Sequence, residues 1–145
     1  MYKRILIPTD GSTLSEVAIE HGVALAKSIG AEVIGLTVLP PFAVFAMEPM
    51  VMINTPEQHE KECAATAERM LTVVGNKARA AGVRCEVVHV LCDAPYAGII
   101  ETATVRGCDL ICMASHGRKG IAGVLLGSET TKVLTHSKIP VLVCR

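Results

Sequence analysis

The hydrophobic residues of this chain gather into short unbroken runs, separated by longer stretches of mixed character. Residues 4–10 (Arg-Ile-Leu-Ile-Pro-Thr-Asp), Glu32–Leu39, Cys85–Leu91, Leu110–Ala114 and residues 140–144 each carry such a run. Runs this short, bounded by Gly, Pro or turn residues, predict strands, and the most apolar of them predict strands buried on both faces. Pro8 stops the first ladder and Asp10-Gly11-Ser12 makes a turn. The intervening stretches predict helices. Residues 15–29 place Val17, Ala18, Leu25 and Ile29 at broadly helical spacing, with Ser15 as candidate cap and Gly30 as stop. Pro56–Ala81 reads as a long helix, with Glu57, Glu60 and Glu62 near its start, Lys77 and Arg79 near its end, and Gly82 beyond. Asp93 is positioned to cap a further helix with Pro95 in its first turn, running to about Arg106, and Ser128 is positioned as N-cap of the last.

Strands alternating with helices predict an α/β domain, a parallel sheet with helices on both faces joined by right-handed crossovers. In such a sheet, ligands sit outside the carboxyl ends of the strands, where the strand order reverses. Two features fall at carboxyl ends. Asp10 follows the first strand; the glycine-rich loop of Gly117, Gly120, Gly123 and Gly127 follows the fourth and runs into Ser128-Glu-Thr-Thr. Strand, glycine loop and helix start suit an anion, because the backbone can approach closely and the first helical N–H groups are unpaired donors at the positive end of the dipole. The spacing is neither Gly-x4-Gly-Lys-Ser/Thr nor Gly-x-Gly-x-x-Gly. Taken alone, the loop could also be a plain flexible turn, and Asp10 a plain Asx turn.

Composition narrows the classes. The 145 residues suffice for one domain with a substantial core; half are hydrophobic, but only two Phe, two Tyr and no Trp occur, so that core is aliphatic. Fourteen basic residues balance fourteen acidic ones, giving no reason to expect nucleic acid. The six cysteines form no Cys-x-x-Cys pair and several sit in apolar runs, as small hydrophobes do; zinc is not expected. The amino terminus enters a strand without a signal-like apolar segment, which points to reduced thiols and a cytoplasmic home. The connection over residues 42–56 is unusually apolar. A membrane span is disfavoured by Pro40, Pro41, Pro49 and Glu48, leaving an internal pad or a flap over a ligand or partner chain.

With these residues assembled, the chain resembles the universal stress protein family, in its single-domain, ATP-binding subgroup. The likeness spans the whole length: Ile-Leu-Ile-Pro-Thr-Asp-Gly-Ser at the start, Ser-His-Gly-Arg-Lys-Gly before the loop, Leu-Leu-Gly-Ser at the last helix and Ile-Pro-Val-Leu-Val at the end. The family's signature, Gly-x-x-Gly, nine residues, then Gly-Ser or Gly-Thr, maps onto Ala114-Ser-His-Gly117 and Gly127-Ser128, with alanine replacing the first glycine. The resemblance implies a Rossmann-like sandwich with strand order 3-2-1-4-5, a homodimer through the final strand, and ATP with Mg2+ in the crevice between strands 1 and 4. The residues it implies around the nucleotide are Pro8, Thr9, Asp10, Val38, Met113, Ala114, His116, Gly117, Arg118, Gly120, Gly127, Ser128 and Glu129. Val38 would meet the adenine through its backbone, Asp10 a ribose hydroxyl or the metal, and Glu129 a phosphate through its amide.

Phosphoryl transfer needs positioned cations and a group that orients the nucleophile. His116, Arg118 and Lys119 could approach phosphate, but none has a partner in the sequence that would make it a catalytic base. His21, His59, His89 and His136 lack metal-ligand spacing and read as surface residues of helices and strands. A nucleotide-responsive binding protein with at most slow hydrolysis is therefore expected. The alternative is a dimeric stress-response interaction module without nucleotide. An adenylate-transferring enzyme is disfavoured, because so short a chain leaves no second substrate region.

Overall fold

In the computed structural model, residues 1–42, 55–117, 123 and 125–145 are described. Five strands, β1 (Arg4–Pro8), β2 (Glu32–Leu39), β3 (Cys85–Leu91), β4 (Leu110–Ala114) and β5 (Val141–Cys144), form one parallel sheet in the order β3-β2-β1-β4-β5. Helices α1 (Thr13–Ile29) and α2 (Pro56–Ala81) cover one face; α3 (Pro95–Val105) and α4 (Ser128–His136) cover the other. The alternation of side chains along each strand divides the core in two. Ile5 and Ile7 join Val33, Leu110, Cys112 and Ala114 under α1 and α2, while Leu6 joins Ile34, Leu36, Ile111 and Met113 under α3 and α4. This is the expected architecture, including the adjacency of β1 and β4.

The helix starts differ from the sequence reading in register. α1 begins at Thr13, capped by Ser12, whose hydroxyl accepts from Ser15 N–H at 3.2 Å; Ser15 itself is buried inside the helix. The buried stripe of α1 runs through Ala18, Ile19, Gly22, Val23 and Ala26, while Leu25 is half-buried and Ile29 exposed. The small residues let α1 lie close on the sheet: a Cβ at Gly22 would fall 2.5 Å from Ile7 Cδ1. α2 opens with a capping box, Thr55 Oγ1 accepting from Gln58 N–H at 3.2 Å and Gln58 Oε1 from Thr55 N–H at 3.1 Å. Gly30 and Gly82 end α1 and α2 with φ of 70° and 73°. α3 starts after Ala94 rather than at a cap by Asp93 and ends at Val105, and Gly127, not Ser128, is the N-cap of α4.

His59 corrects a further expectation. It is buried, its Nε2 sits 2.9 Å from Pro40 O and 3.3 Å from Cys63 Sγ, and Phe42 packs edge-on against its ring. His21, His89 and His136 are exposed as expected. Cys63, Cys108, Cys112 and Cys144 are buried, and desolvation pushes the Cys108 thiol up to about 11. Among the described residues, no helix is long and apolar enough to cross a membrane. The apolar connection at residues 43–54 lies outside the described residues.

Candidate functional site

The site begins where β1 and β4 part. Their registered pairs are Ile5↔Leu110 and Leu6↔Ile111, whereas β1 stays paired to β2 from Arg4↔Glu32 to Pro8↔Leu36. Beyond Leu6 and Ile111 a crevice opens at the carboxyl ends. Its two walls come from strands whose following helices lie on opposite faces, the reversal point of a doubly wound sheet.

On the β1 side, Pro8 closes the pairing to β2 and Thr9 is buried, its N–H donating to Leu36 O at 2.8 Å. Thr9 Oγ1 meets Ser15 Oγ at 3.0 Å and accepts from Gly11 N–H at 3.2 Å, and Thr37 Oγ1 donates to Thr9 O at 2.9 Å. These bonds fix the backbone that presents Asp10. Asp10 Oδ1 accepts from Ser12 N–H at 3.0 Å, which is the Asx turn anticipated from Asp-Gly-Ser. Its Oδ2 points across the crevice at Gly117, where an added Cβ would fall only 2.5 Å away.

On the β4 side, Met113 and Ala114 are buried and Ala114 pairs with Cys144. Among the described residues only glycines have positive φ, so Ala114 sits in ordinary extended backbone and its methyl packs into the core under α1 and α2. Ser115 is buried and acts as the joint of this wall. Its N–H donates to Cys144 O at 2.7 Å, its carbonyl accepts from Gly127 N–H at 2.6 Å, and its hydroxyl meets His116 Nδ1 at 3.0 Å. Thr130 Oγ1 donates to Ala114 O at 2.9 Å, tying α4 back to the strand. A Cβ at Gly127 would lie 3.2 Å from Ser115 O and 3.3 Å from His116 Cα, so the start of α4 folds tightly against the end of β4. Gly117 and Gly127 are thus needed for close approach, not for a left-handed φ.

Ser128, the first residue of α4, is exposed, and the first-turn N–H groups of α4 that have no partner within the helix begin at Ser128, since that of Gly127 already donates to Ser115 O. The Glu129 carboxylate turns away: Oε2 accepts from Tyr96 N–H at 2.8 Å and Oε1 lies 3.4 Å from Lys132 Nζ. It thereby caps α3, whose own N-cap Ala94 offers no side-chain acceptor. Val38 lies at the end of β2 on the α3 face, where Gly98 leaves it room; a Cβ there would be 3.1 Å from Val38 Cγ1. Pro8, Thr9, Asp10, Val38, Met113, Ala114, His116, Gly117, Gly127, Ser128 and Glu129 therefore all lie at or next to the carboxyl end of the sheet. Arg118 and Gly120 lie outside the described residues. Sequence reasoning missed Ser115 and Thr130. Their signal was polar side chains inside otherwise recognisable stretches, Ala-Ser-His-Gly and Ser-Glu-Thr-Thr.

Comparison with known proteins agrees with this fold. The sequence matches the universal stress protein family over residues 1–145. It is 30% identical to universal stress protein MJ0531 of Methanocaldococcus jannaschii, covering all of this chain and 83% of that protein. It is 30% identical to universal stress protein YxiE of Bacillus subtilis, with both chains covered fully. The solved structure of M. jannaschii MJ0577 superposes with a TM-score of 0.84 at 30% identity, over 99% of this chain and 96% of that one. A universal stress protein solved in complex with cAMP superposes with a TM-score of 0.69 at 26% identity, over 99% and 97%.

Proposed function

The chain belongs to the universal stress protein family, and from that premise we propose that it is a cytoplasmic stress-response protein that binds ATP in the β1–β4 crevice. The observation that carries the reading is the facing of Asp10 Oδ2 and Gly117 across the reversal point, beside the tightly folded Gly127 start of α4. Phosphates would lie against the N–H groups of Ser128 and Glu129, with the Cβ-less Gly127 and Gly117 clearing their path. Thr9 and Asp10 would meet the ribose, and the backbone at Val38 the adenine, with Pro8, Met113, Ala114 and His116 around them. Arg118 and Gly120 belong to the proposed phosphate loop by sequence. The cAMP complex of a relative supports an adenine nucleotide as the ligand class.

Ala114 bears on the alternative, an interaction module without nucleotide. Its methyl points into the core and its φ is negative, so replacement of the signature's first glycine leaves the crevice open. Mg2+ fits as a companion of the phosphates rather than as a resident ion. The described residues hold no group of three or more His, Cys, Asp or Glu that could cage a metal, and Mg2+ is commonly held by one carboxylate plus phosphate oxygens and water. Asp10 would be that carboxylate.

Binding is expected to exceed turnover, because phosphoryl transfer needs positioned cations and a group that orients the nucleophile, and Asp10 is assigned to the ribose or Mg2+ rather than to the attacking water. Calorimetry with ATP and a non-hydrolysable analogue should give similar affinities for the wild-type protein, and Gly127→Val should abolish both. A side chain at residue 127 would press on Ser115 O and His116 Cα and force the α4 start away from β4. Unchanged ATP affinity in Gly127→Val would remove this site. Steady-state phosphate release near ~1 per second or faster, the ordinary enzyme range, and lost in Gly127→Val would overturn the classification as a binding protein.

A further inference from the structure

The edge of the sheet opposite β5 is formed by β3, and its open side carries a row of backbone groups. Arg84 O accepts from Val33 N–H at 2.9 Å and Cys92 N–H donates to Leu39 O at 2.9 Å, so the even-numbered residues of β3 face β2. Cys85, Val87, His89 and Leu91 accordingly turn their N–H and C=O groups outward, and among the described residues no strand pairs with them. Folded proteins usually blunt such an edge with proline, lysine or a bulge. β3 has no proline or lysine, Val87 and Leu91 are 46% and 40% exposed, and its Glu86 carboxylate is held by Arg106. Alongside runs a groove of about 430 Å³ between β3 and the flank of α2, lined among others by Glu68, Leu71, Thr72, Gly75, Arg79 and His89.

We propose that this edge pairs with β3 of a second copy of the chain, antiparallel, about a two-fold axis through Val88. The backbone is self-complementary for that axis. It sets Val87 opposite His89 of the second copy and Cys85 opposite its Leu91, and all four are outward-facing residues, so each pair can exchange both N–H···O bonds. The side chains of these residues share the α2 face, so the exposed Val87 and Leu91 gain neighbours.

Charge and spacing on α2 select a second copy over an unrelated strand. Val87 pairs with Gly35, and a Cβ at Gly35 would lie 2.9 Å from Val74, which puts Val74 level with the proposed axis. Glu68 and Arg79 flank that level on the same groove, at nearly equal distances along the helix. A two-fold there reverses α2, so Glu68 of each copy faces Arg79 of the other. α2 packs over β2 and β3 alike. With strands about 4.8 Å apart across the new junction, the two α2 helices come about 10 Å apart, a normal packing distance for helices. Nothing lies within 4 Å of where a Gly75 side chain would be, so the flank has room for the second helix.

Sedimentation equilibrium tests this in a background where the β5 edge is disabled, by Val143→Pro or independently by Leu142→Lys, with circular dichroism confirming the fold. The expected result is a residual dimer. Glu68→Arg and Arg79→Glu should each weaken it about tenfold, and the double exchange Glu68→Arg/Arg79→Glu should restore it. A monomer in both β5-disabled backgrounds, or a dimer indifferent to either reversal, would overturn the proposal.

Discussion

At the scale of single residues, the crevice depends on what is absent at two glycines and on where one carboxylate points. Gly117 has no Cβ because Asp10 Oδ2 occupies that space, at 2.5 Å from where one would be. Gly117→Ala should fold, since a carboxylate tip can turn aside, yet it should lose most ATP affinity because Asp10 is displaced from the crevice. Glu129→Ala should do the reverse. Its carboxylate caps α3 through Tyr96 N–H, so its loss should cost about 1 kcal/mol of stability, while the Glu129 amide remains for the phosphates. Denaturant unfolding and calorimetry on the two variants should therefore show opposite losses, and parallel losses would contradict the division of roles. Glu129 also shows why caps were poorly legible in the sequence. Asp93 is a good capping residue at a plausible position, but the acceptor that serves α3 comes from 33 positions along the chain. Ser12 and Ser15 are chemically equivalent candidates, and burial of Ser15 inside the first turn of α1, with its hydroxyl on Thr9, decided between them. His59 read as a surface residue because nothing in its own helix shows that Pro40 and Phe42 return to cover it.

At the scale of elements, the five strands were readable because each is a short apolar run, and the fully buried β4 is the clearest of them. Strand ends were less so, since the chain between Pro8 and Ser12 is held by side-chain bonds of Thr9 and Asp10 that have no periodic signature. β5 is the outer strand beside β4, and its pairing fixes which groups remain open. Ile111 N–H donates to Pro140 O at 2.9 Å and Ser115 N–H to Cys144 O at 2.7 Å, so the even residues face β4. Val141 and Val143 turn their backbone groups outward. We propose that they pair with β5 of another copy about a two-fold axis, as the family resemblance implies. Val143→Pro would delete an outward N–H and leave the β4 ladder intact. Its sedimentation mass should fall below that of the wild type while ATP affinity stays within about twofold, as no phosphate contact is touched. An unchanged mass would rule out pairing through β5.

At the scale of the whole molecule, the sheet is two parts joined at β1–β4, the junction where the proposed nucleotide would bind. At its lower end the Asp109 carboxylate accepts from Lys3 N–H at 2.9 Å and Arg4 N–H at 3.0 Å, and Asp109 N–H donates to Arg4 O at 3.0 Å. α1 reinforces the join by packing on β1 and β4 together. The upper end has no comparable ladder, because registered pairing stops at Leu6↔Ile111. A ligand that touches Asp10 on one side and Gly117, Gly127 and Ser128 on the other would supply that missing bridge. ATP at a hundred times its dissociation constant should stabilise the fold by about 2.7 kcal/mol, raising the melting temperature by about 8 °C for a chain of this size. Gly127→Val should show no rise. The gain should also have a location: amide hydrogens that hold β4 to its neighbours, including those of Ile111 and Ser115, should slow on adding ATP at least as much as those of β2. Slowing confined to β2 and β3, with β4 unchanged, would mean that the nucleotide does not span the β1–β4 junction.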